Sequence, residues 1–181
     1  MNYWFISDTH FSHKLMAAKR GYATVAEMND AIATVWAETV KPGDRVYHLG
    51  DVAFRPQLDI PLLAKLPGHK RLIAGNHDTV TAEWFKAFQR VRGGQRFGGS
   101  QGQNDGLWLT HVPCHPNHIR GAVNVHGHVH TGYVKIHNGI VQEGYWTPST
   151  SNVSYFNVNW DVVGRLVPAD ELLAYVTNVN S

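Results

Sequence analysis

The first 78 residues repeat one pattern: a short apolar run, a polar cluster, then a helical stretch. Tyr3 to Ser7 is aromatic and β-branched and gives way to Asp8, Thr9 and His10. Arg45 to Leu49 gives way to Gly50 and Asp51, and Lys70 to Ala74 gives way to Gly75, Asn76, His77 and Asp78. Runs of this length bounded by turn residues predict buried strands. Between the first two, Val25, Met28, Ile32, Val35 and Trp36 recur at three- and four-residue steps behind Thr24 and Glu27. That spacing predicts a helix over 24–40, ended by Lys41-Pro42-Gly43-Asp44. Leu58, Leu62, Leu63 and Leu66 predict a second helix before the turn at Pro67-Gly68. Helical crossovers between such strands imply a parallel sheet, and in such sheets ligands gather beyond the carboxyl ends of the strands. The polar clusters fall there.

After a short helix near 81–89 the chain changes character. Gly-rich loops over Gly93 to Gly106 precede short β runs at Leu107 to Thr110, Ala122 to His126, Tyr133 to His137 and Ser154 to Trp160. A last helix is expected from Pro168 to Val176, with proline at its first position. Two of the β runs again end in donors: Thr110-His111, and Gly127-His128-Val129-His130. At 181 residues the expectation is one α/β domain, residues 1–181.

Composition sharpens the chemistry. Histidine occurs 12 times, against 14 Asp plus Glu. Imidazole, carboxylate and amide oxygen together suit divalent Mn, Fe, Zn or Ni, and the lone Cys114 leaves no cysteine pair for a zinc knuckle. Five clusters hold more donors than one ion uses, which points to two ions. A net charge of +2 without a basic block gives little support to a nucleic-acid scaffold. No apolar run is long enough for a membrane span, and the amino terminus lacks the look of a signal peptide, so the expected location is cytoplasmic.

The ordered series D-x-H, G-D, G-N-H-D, H and G-H-x-H, over residues 8–130, resembles the calcineurin-like metallophosphoesterase family. The resemblance implies a four-layer α/β/β/α sandwich of two mixed β-sheets flanked by helices. It also implies dinuclear, metal-dependent hydrolysis of phosphate esters, phosphodiesters first, by in-line attack of a metal-bridging hydroxide. Carried over by position, Asp8, His10 and His130 hold one ion, Asn76, His111 and His128 hold the other, and Asp51 bridges them. His77 falls outside the metal shell as the catalytic histidine. Manganese is the expected metal, with iron, zinc or nickel as alternatives. The segment Gly50-Asp51-Val52-Ala53-Phe54-Arg55, and Asp78 where the protein serine/threonine phosphatases carry Glu, depart from those enzymes. Phosphomonoesterase or nucleotide pyrophosphatase activity is the alternative within the reaction class, and an inactive binding scaffold is the alternative outside it. The partners expected are a small phosphate ester or nucleotide-type substrate, with a nucleic-acid substrate left open, and no membrane.

Several neighbours of these clusters have two readings. His13 and Arg55 could face the phosphate or merely solvent, and His115 could line the pocket or stiffen a proline-bounded loop. Trp146, beside Tyr145, could stack a base or sugar. Asp78 reads as an orienting partner and not a ligand. His126 shares the alternation of His128 and His130, so spacing leaves it open as a ligand, whereas the resemblance makes it a supporting or core histidine. In an extended segment His128 and His130 would project to one face.

Overall fold

The helix predicted over 24–40 forms as α2 (Val25–Thr39). Thr24 accepts the Glu27 N–H, Glu27 accepts the Ala23 N–H, and the Met28, Ile32 and Trp36 stripe is buried. The Trp36 indole ends its face by donating to the Pro67 carbonyl, and extended Val40 terminates the helix. The second helix, α3 (Pro56–Lys65), starts with proline at its first position and buries Ile60 and Leu63, while Leu58 faces solvent. It carries Pro61 internally.

The computed structural model describes residues 1–99, 105–131 and 154–179, with the short segments 135–136, 139–140 and 146–148 between them. Strands β1 (Tyr3–Ile6), β2 (Arg45–His48), β3 (His69–Ile73) and β4 (Arg90–Arg92) run parallel, in that order. β12 (Val167–Pro168) adds antiparallel beside β1. The second sheet orders β10 (Trp146–Pro148), β11 (Ser154–Asn157), β7 (Val123–His126), β6 (Leu107–Thr110) and β5 (Gly94–Phe97). Its three central strands are parallel and its two edges antiparallel. β8 (Lys135–Ile136) and β9 (Gly139–Ile140) make a separate small pair.

The sheets pack face to face. Phe5, Tyr47, Leu49 and Ile73 from the first meet Leu107, Leu109, Val123, Val125 and Phe156 from the second in one buried cluster. The first sheet's outer face packs Ile6, Val46 and Leu72 against α2 and α3. Trp108 and Tyr155, on the second sheet's outer face, pack under Ile119 and Cys114 of segment 111–122. This is the expected α/β architecture of two mixed sheets flanked by helices.

Differences from the sequence expectation cluster where pairing, not pattern, makes the element. β5 is an edge strand in the stretch read as loop, where Phe97 is held by ring contacts with Tyr3, Phe5 and Tyr47, and β4 is an edge strand in residues 90–92, for which the sequence predicts no element. The helix near 81–89 is a 3₁₀ turn, Ala82–Lys86. A short helix α1 (Lys14–Lys19), capped by the His13 side chain, had no sequence signal. The strand expected to run to Trp160 stops at Asn157, and Trp160 opens α4 (Trp160–Val163), which left-handed Gly164 ends. Pro168 belongs to β12 and α5 (Ala169–Val179) starts after it. Of the run Tyr133 to His137, only 135–136 is described, as β8.

Asp44 ties the amino terminus to the start of β2. Its carboxylate accepts from the Asn2 N–H (2.7 Å), the Trp4 indole (3.1 Å) and the Lys41 N–H (3.2 Å). The bonds from Asn2 and Trp4 are the main reason the carboxyl is held down to about 2, from an ordinary 3.8. Asp44→Ala should lower the unfolding free energy at neutral pH by about 2 kcal/mol. A group held below its ordinary value gives its stability above that value and loses it as acid protonates the folded state. The gap between wild type and variant in urea titrations should therefore be full above roughly pH 4 and close as the pH falls towards about 2.

Candidate metal centre

Parallel pairing aims the carboxyl ends of β1, β2 and β3 to one edge, and β6 and β7 bring theirs to the same edge from the other sheet. Backbone bonds weld the two there. The Ser7 N–H donates to the Val158 carbonyl (3.1 Å) and the Trp160 N–H to the Ser7 carbonyl (3.0 Å), while within the second sheet the Gly127 N–H donates to the His111 carbonyl (2.8 Å). Within the first sheet, the Asp8 N–H donates to Gly50 (2.9 Å) and the His10 N–H to Asp51 (3.1 Å).

Two groups of donor atoms converge at this edge: Asp8, His10 and His130, and Asp51, His111 and His128. In the first, Asp8 Oδ1 lies 3.6 Å from His130 Nε2 and 3.9 Å from His10 Nε2. In the second, Asp51 Oδ1 lies 3.4 Å from His111 Nε2, while Asn76 Oδ1 sits 2.9 Å from His111 Nε2 and 3.0 Å from His128 Nδ1. Asp51 faces both groups, since its Oδ2 is 3.8 Å from His10 Nε2. Bonds of about 2.1 Å to a shared ion separate neighbouring donors by roughly 3.0–3.5 Å, which these spacings approach. His10 Nε2 is buried and has no hydrogen-bond partner among the described residues, which a cation between the carboxylates would supply.

The backbone is strained to make this convergence. Asp8, His10, Asp51 and His128 all have positive φ, between 49° and 65°, as does Ser12. Such conformations cost an L-residue about 1–3 kcal/mol each and gather at functional sites. The left-handed turn at His128 corrects the extended reading of this segment: it sends His128 to one group and His130 to the other. The neighbouring glycines are there for space. A Cβ at Gly75 would strike the Asp51 carboxylate, and one at Gly127 would strike the Asp8 carboxylate and Ser7 Oγ. One at Gly50 would come within 2.6 Å of both Gly75 and His111 Nδ1.

Electrostatics favour an added cation. Asp8 is fully buried, and burial pushes its carboxyl up to about 6 despite the His128 N–H it accepts at 2.9 Å. Burial also pushes Asp51 up, but hydrogen bonding from His111, its charge, and the His77 N–H carry it down to about 2. Burial drives the His10 imidazole down to about 3 and His128 lower than its ordinary value, which keeps both neutral as ligands require. The same burial acts on His111, but the Asp51 and Asp8 carboxylates outweigh it and raise the imidazole above its ordinary value. Two buried carboxylates beside these imidazoles demand positive charge, which a divalent ion between them would supply.

Around this core stand residues that orient it. His111 Nδ1 faces the Leu49 carbonyl at 2.7 Å, leaving Nε2 for the centre. Asp78 accepts the N–H groups of Asp51 (2.9 Å), Val52 (3.0 Å) and Gly75 (2.8 Å), so it orients the β2 and β3 loops and stays out of both donor groups. Three contributors escaped the sequence reading. Asp161 holds His130 Nδ1 at 2.5 Å and Arg20 Nε at 2.5 Å. The buried Arg20 guanidinium also donates to the carbonyls of Thr9 (2.8 Å) and Asp8 (2.7 Å), bracing the left-handed turn. Asn157 holds the carbonyls of Val129 (2.7 Å) and Thr131 (3.1 Å). The one signal for this set was Asn157-x-Asn159-x-Asp161, donors at alternate positions beyond a strand end.

His77 is exposed, with its Nε2 4.0 Å from Asp51 Oδ2 and its ring 6.0 Å from that of His10. It lies outside both donor groups and lines a cavity of about 570 Å³ together with His10 and His13. His13 also caps α1 by accepting the Met16 N–H. A second cavity, about 400 Å³, opens on His130 and is lined by Lys19, Arg20, Tyr22, Trp160 and Asp161. Arg55 is exposed at the start of α3 and lines neither cavity. His115 is exposed and accepts the Asn117 N–H in the 3₁₀ turn Pro116–His118. His126 is buried on β7 with Nδ1 2.8 Å from the Gly127 carbonyl, outside both groups. Trp146 lies in β10, and its side chain, with Tyr145, is outside the described residues.

The family model for calcineurin-like phosphoesterases matches residues 1–175. The Gene 66 protein of Mycobacterium phage L5 is 29% identical, the match covering 99% of this chain and 96% of that protein. Its counterpart in phage D29 is 27% identical over 98% and 97%. An uncharacterized protein of Methanocaldococcus jannaschii is 32% identical over 64% of this chain and 70% of its own length. Among solved structures, a protein of unknown function from Aquifex aeolicus shares the fold, with a TM-score of 0.71 at 22% identity, covering 97% of this chain and 99% of the other.

Asp161→Asn removes the carboxylate that holds His130 while keeping its shape. Manganese titrations should find the affinity of the Asp8–His10–His130 group reduced roughly ten- to hundredfold. The Asp51–His111–His128 group should keep its affinity, and unfolding curves should show a folded variant.

Proposed function

The chain belongs to the calcineurin-like phosphoesterase family, and on that premise we propose that this metal-dependent phosphoesterase hydrolyses phosphate diesters, residues 1–181 acting as one domain. Asp8, His10 and His130 would hold one divalent ion, Asn76, His111 and His128 the other, with Asp51 between them. The nitrogen and oxygen donor set, free of thiolate, suits manganese first and iron, zinc or nickel next. When bound, such a pair supplies an acidified water and positive charge for the phosphate oxygens.

The observation that favours a diester is the pair of cavities at the first donor group. The rings of His10 and His130 stack at 5.3 Å, and one cavity opens on each. A monoester has one substituent to house, whereas a diester has two. Lys19 and Tyr22 give the His130 side a polar, cationic wall for the group that stays on phosphorus. His77 lines the other side, so the leaving oxygen belongs there, within reach of an imidazole that can protonate it. The Asp51 carboxylate fixes the His77 backbone by accepting its N–H at 3.0 Å, and the exposed ring is free to move onto the ester.

A small phosphate ester or nucleotide-type substrate fits cavities of this size better than a nucleic-acid duplex does. No helix among the described residues is long and apolar enough to cross a membrane. The free Cys114 suits a reducing cytoplasm.

Two substitutions test the roles. Asp51→Asn should weaken binding of both ions, measured by elemental analysis after dialysis. His77→Ala should keep both ions and lose about 10²–10⁴ in kcat on bis(p-nitrophenyl) phosphate. Equal metal loss in the two variants would overturn the role of His77. Faster turnover of monoesters or pyrophosphates than of diesters in a manganese-supplemented panel would replace the diester reading. Absence of all hydrolysis with metal bound would favour a binding scaffold.

A further inference from the structure

The cavity beside His77 is larger than a phosphate needs, and its walls are not those of a phosphate site. Away from His10, His13 and His77 it is walled by Ala53, Phe54, Pro56, Ile60, Pro61 and Trp84. Its polar remainder, Gln57, Thr79, Thr81, Glu83 and Lys86, contains one cation, and Lys86 is ion-paired to Glu83. A second anionic group therefore has little to hold it there. Two of the walls are aromatic. Phe54 is 59% exposed, and its ring lies 4.4 Å from that of His13, tilted by 56°. Such a ring, held at the mouth by a neighbouring imidazole, is an unoccupied stacking face.

Phe54 follows directly from the metal-site loop. Its N–H donates to the Phe11 carbonyl at 2.8 Å, and the Phe11 N–H donates to the Val52 carbonyl at 2.9 Å, so its backbone is anchored three residues from Asp51. Trp84, packed on Phe88 with centroids 6.1 Å apart, is fully buried and backs the cavity without offering it an open face. A planar group entering this cavity beside His77 meets the exposed Phe54 ring on the loop, with the hydroxyls of Thr79 and Thr81 and the Gln57 amide lining the same space.

We propose that this cavity is the leaving-group subsite and that it selects an aromatic alcohol, aryl or heteroaryl, esterified to the phosphate. The proposal rests on the phosphoesterase reading of the same site. In the reaction, the oxygen of water bonds to phosphorus, the bond from phosphorus to the leaving oxygen breaks, and His77 gives that oxygen its proton. The proton shed by the attacking water replaces the one that His77 gave up, so the step is balanced. Phe54 acts on which ester is held and not on these bonds.

Binding of phosphonates, which carry no P–O bond to a leaving group, tests the subsite without turnover. The manganese-loaded protein is titrated calorimetrically with methylphosphonate, cyclohexylphosphonate and phenylphosphonate. Phenylphosphonate should bind at least about tenfold more tightly than methylphosphonate, and roughly threefold more tightly than the equally apolar but non-planar cyclohexyl compound. Phe54→Ala, a change at an exposed side chain, should collapse the phenyl preference to about threefold or less. Gln57→Trp, which crowds the cavity, should weaken phenylphosphonate in the same way. Equal affinities in the wild-type protein, or a phenyl preference that survives Phe54→Ala, would overturn the subsite. Cyclohexyl and phenyl binding alike would overturn its aromatic character. A phenyl preference in a protein that hydrolyses no ester would instead sink the reaction and leave the binding site standing.

Discussion

Two carboxylates with almost no access to water, Asp8 and Asp51, are the constraint to which the rest of this structure answers. Removing an ion of that size from water costs several kcal/mol even after the protein relaxes. The chain compensates by surrounding them with imidazoles that could share a cation, and by feeding them backbone N–H groups from His77 and His128. Arg20, whose buried guanidinium lies near Asp8, is turned to its carbonyl and to Asp161, so it braces the loop without bonding to the carboxylate. The positive charge is left to be supplied at the centre. Four left-handed donor residues and three glycines that tolerate no Cβ are what it takes to bring such groups within ion-sharing distance.

Much of this was legible in the sequence because donor and scaffold are written together. Each strand that ends the first sheet's motif is an apolar run followed at once by its donor, so finding β1, β2 and β3 also located Asp8, His10, Asp51 and Asn76. The glycine before Asp51 and the one before Asn76 could be read as turn formers, but their deeper role is mutual clearance, which depends on a neighbouring strand. What stayed hidden depends on contacts distant in sequence. Arg20 lies 141 positions from Asp161, and neither position has a pattern that announces the other. β4 and β5 hold their places through partners and through Phe97, since the alternation in Arg-Val-Arg is too short to announce a strand and Gly-Gln-Arg-Phe has none. Local periodicity also gave the wrong conformation at His128, because a single left-handed residue resets which way the next side chain points.

The division of donors between the sheets makes the apolar core part of the site. Asp8, His10, Asp51 and Asn76 belong to the first sheet, and His111, His128 and His130 to the second, so each group of donors spans both. The distance between sheets is set by Phe5, Tyr47, Leu49 and Ile73 packing on Leu109, Val125 and Phe156. Interiors packed at that density shift when a methylene is lost, and donor spacing has little tolerance for a shift. The Ser7 and Trp160 backbone bonds then lock the sheets at the edge where the donors stand, and the Asn157 side chain fixes the loop that carries His128 and His130.

The same division couples the cation to folding. A cation that binds only when both sheets are in register stabilises the folded chain by mass action, about 1.4 kcal/mol for each tenfold excess over its dissociation constant. Strain in the left-handed turns and the burial of Asp8 act in the other direction, and both are fixed in the fold whether or not a cation is present. The chain thus carries at one edge the strain and desolvation that an ion relieves. The remaining stability has to come from the paired sheets, from α2 and α3 on the outer face, and from anchors such as Asp44 far from the centre.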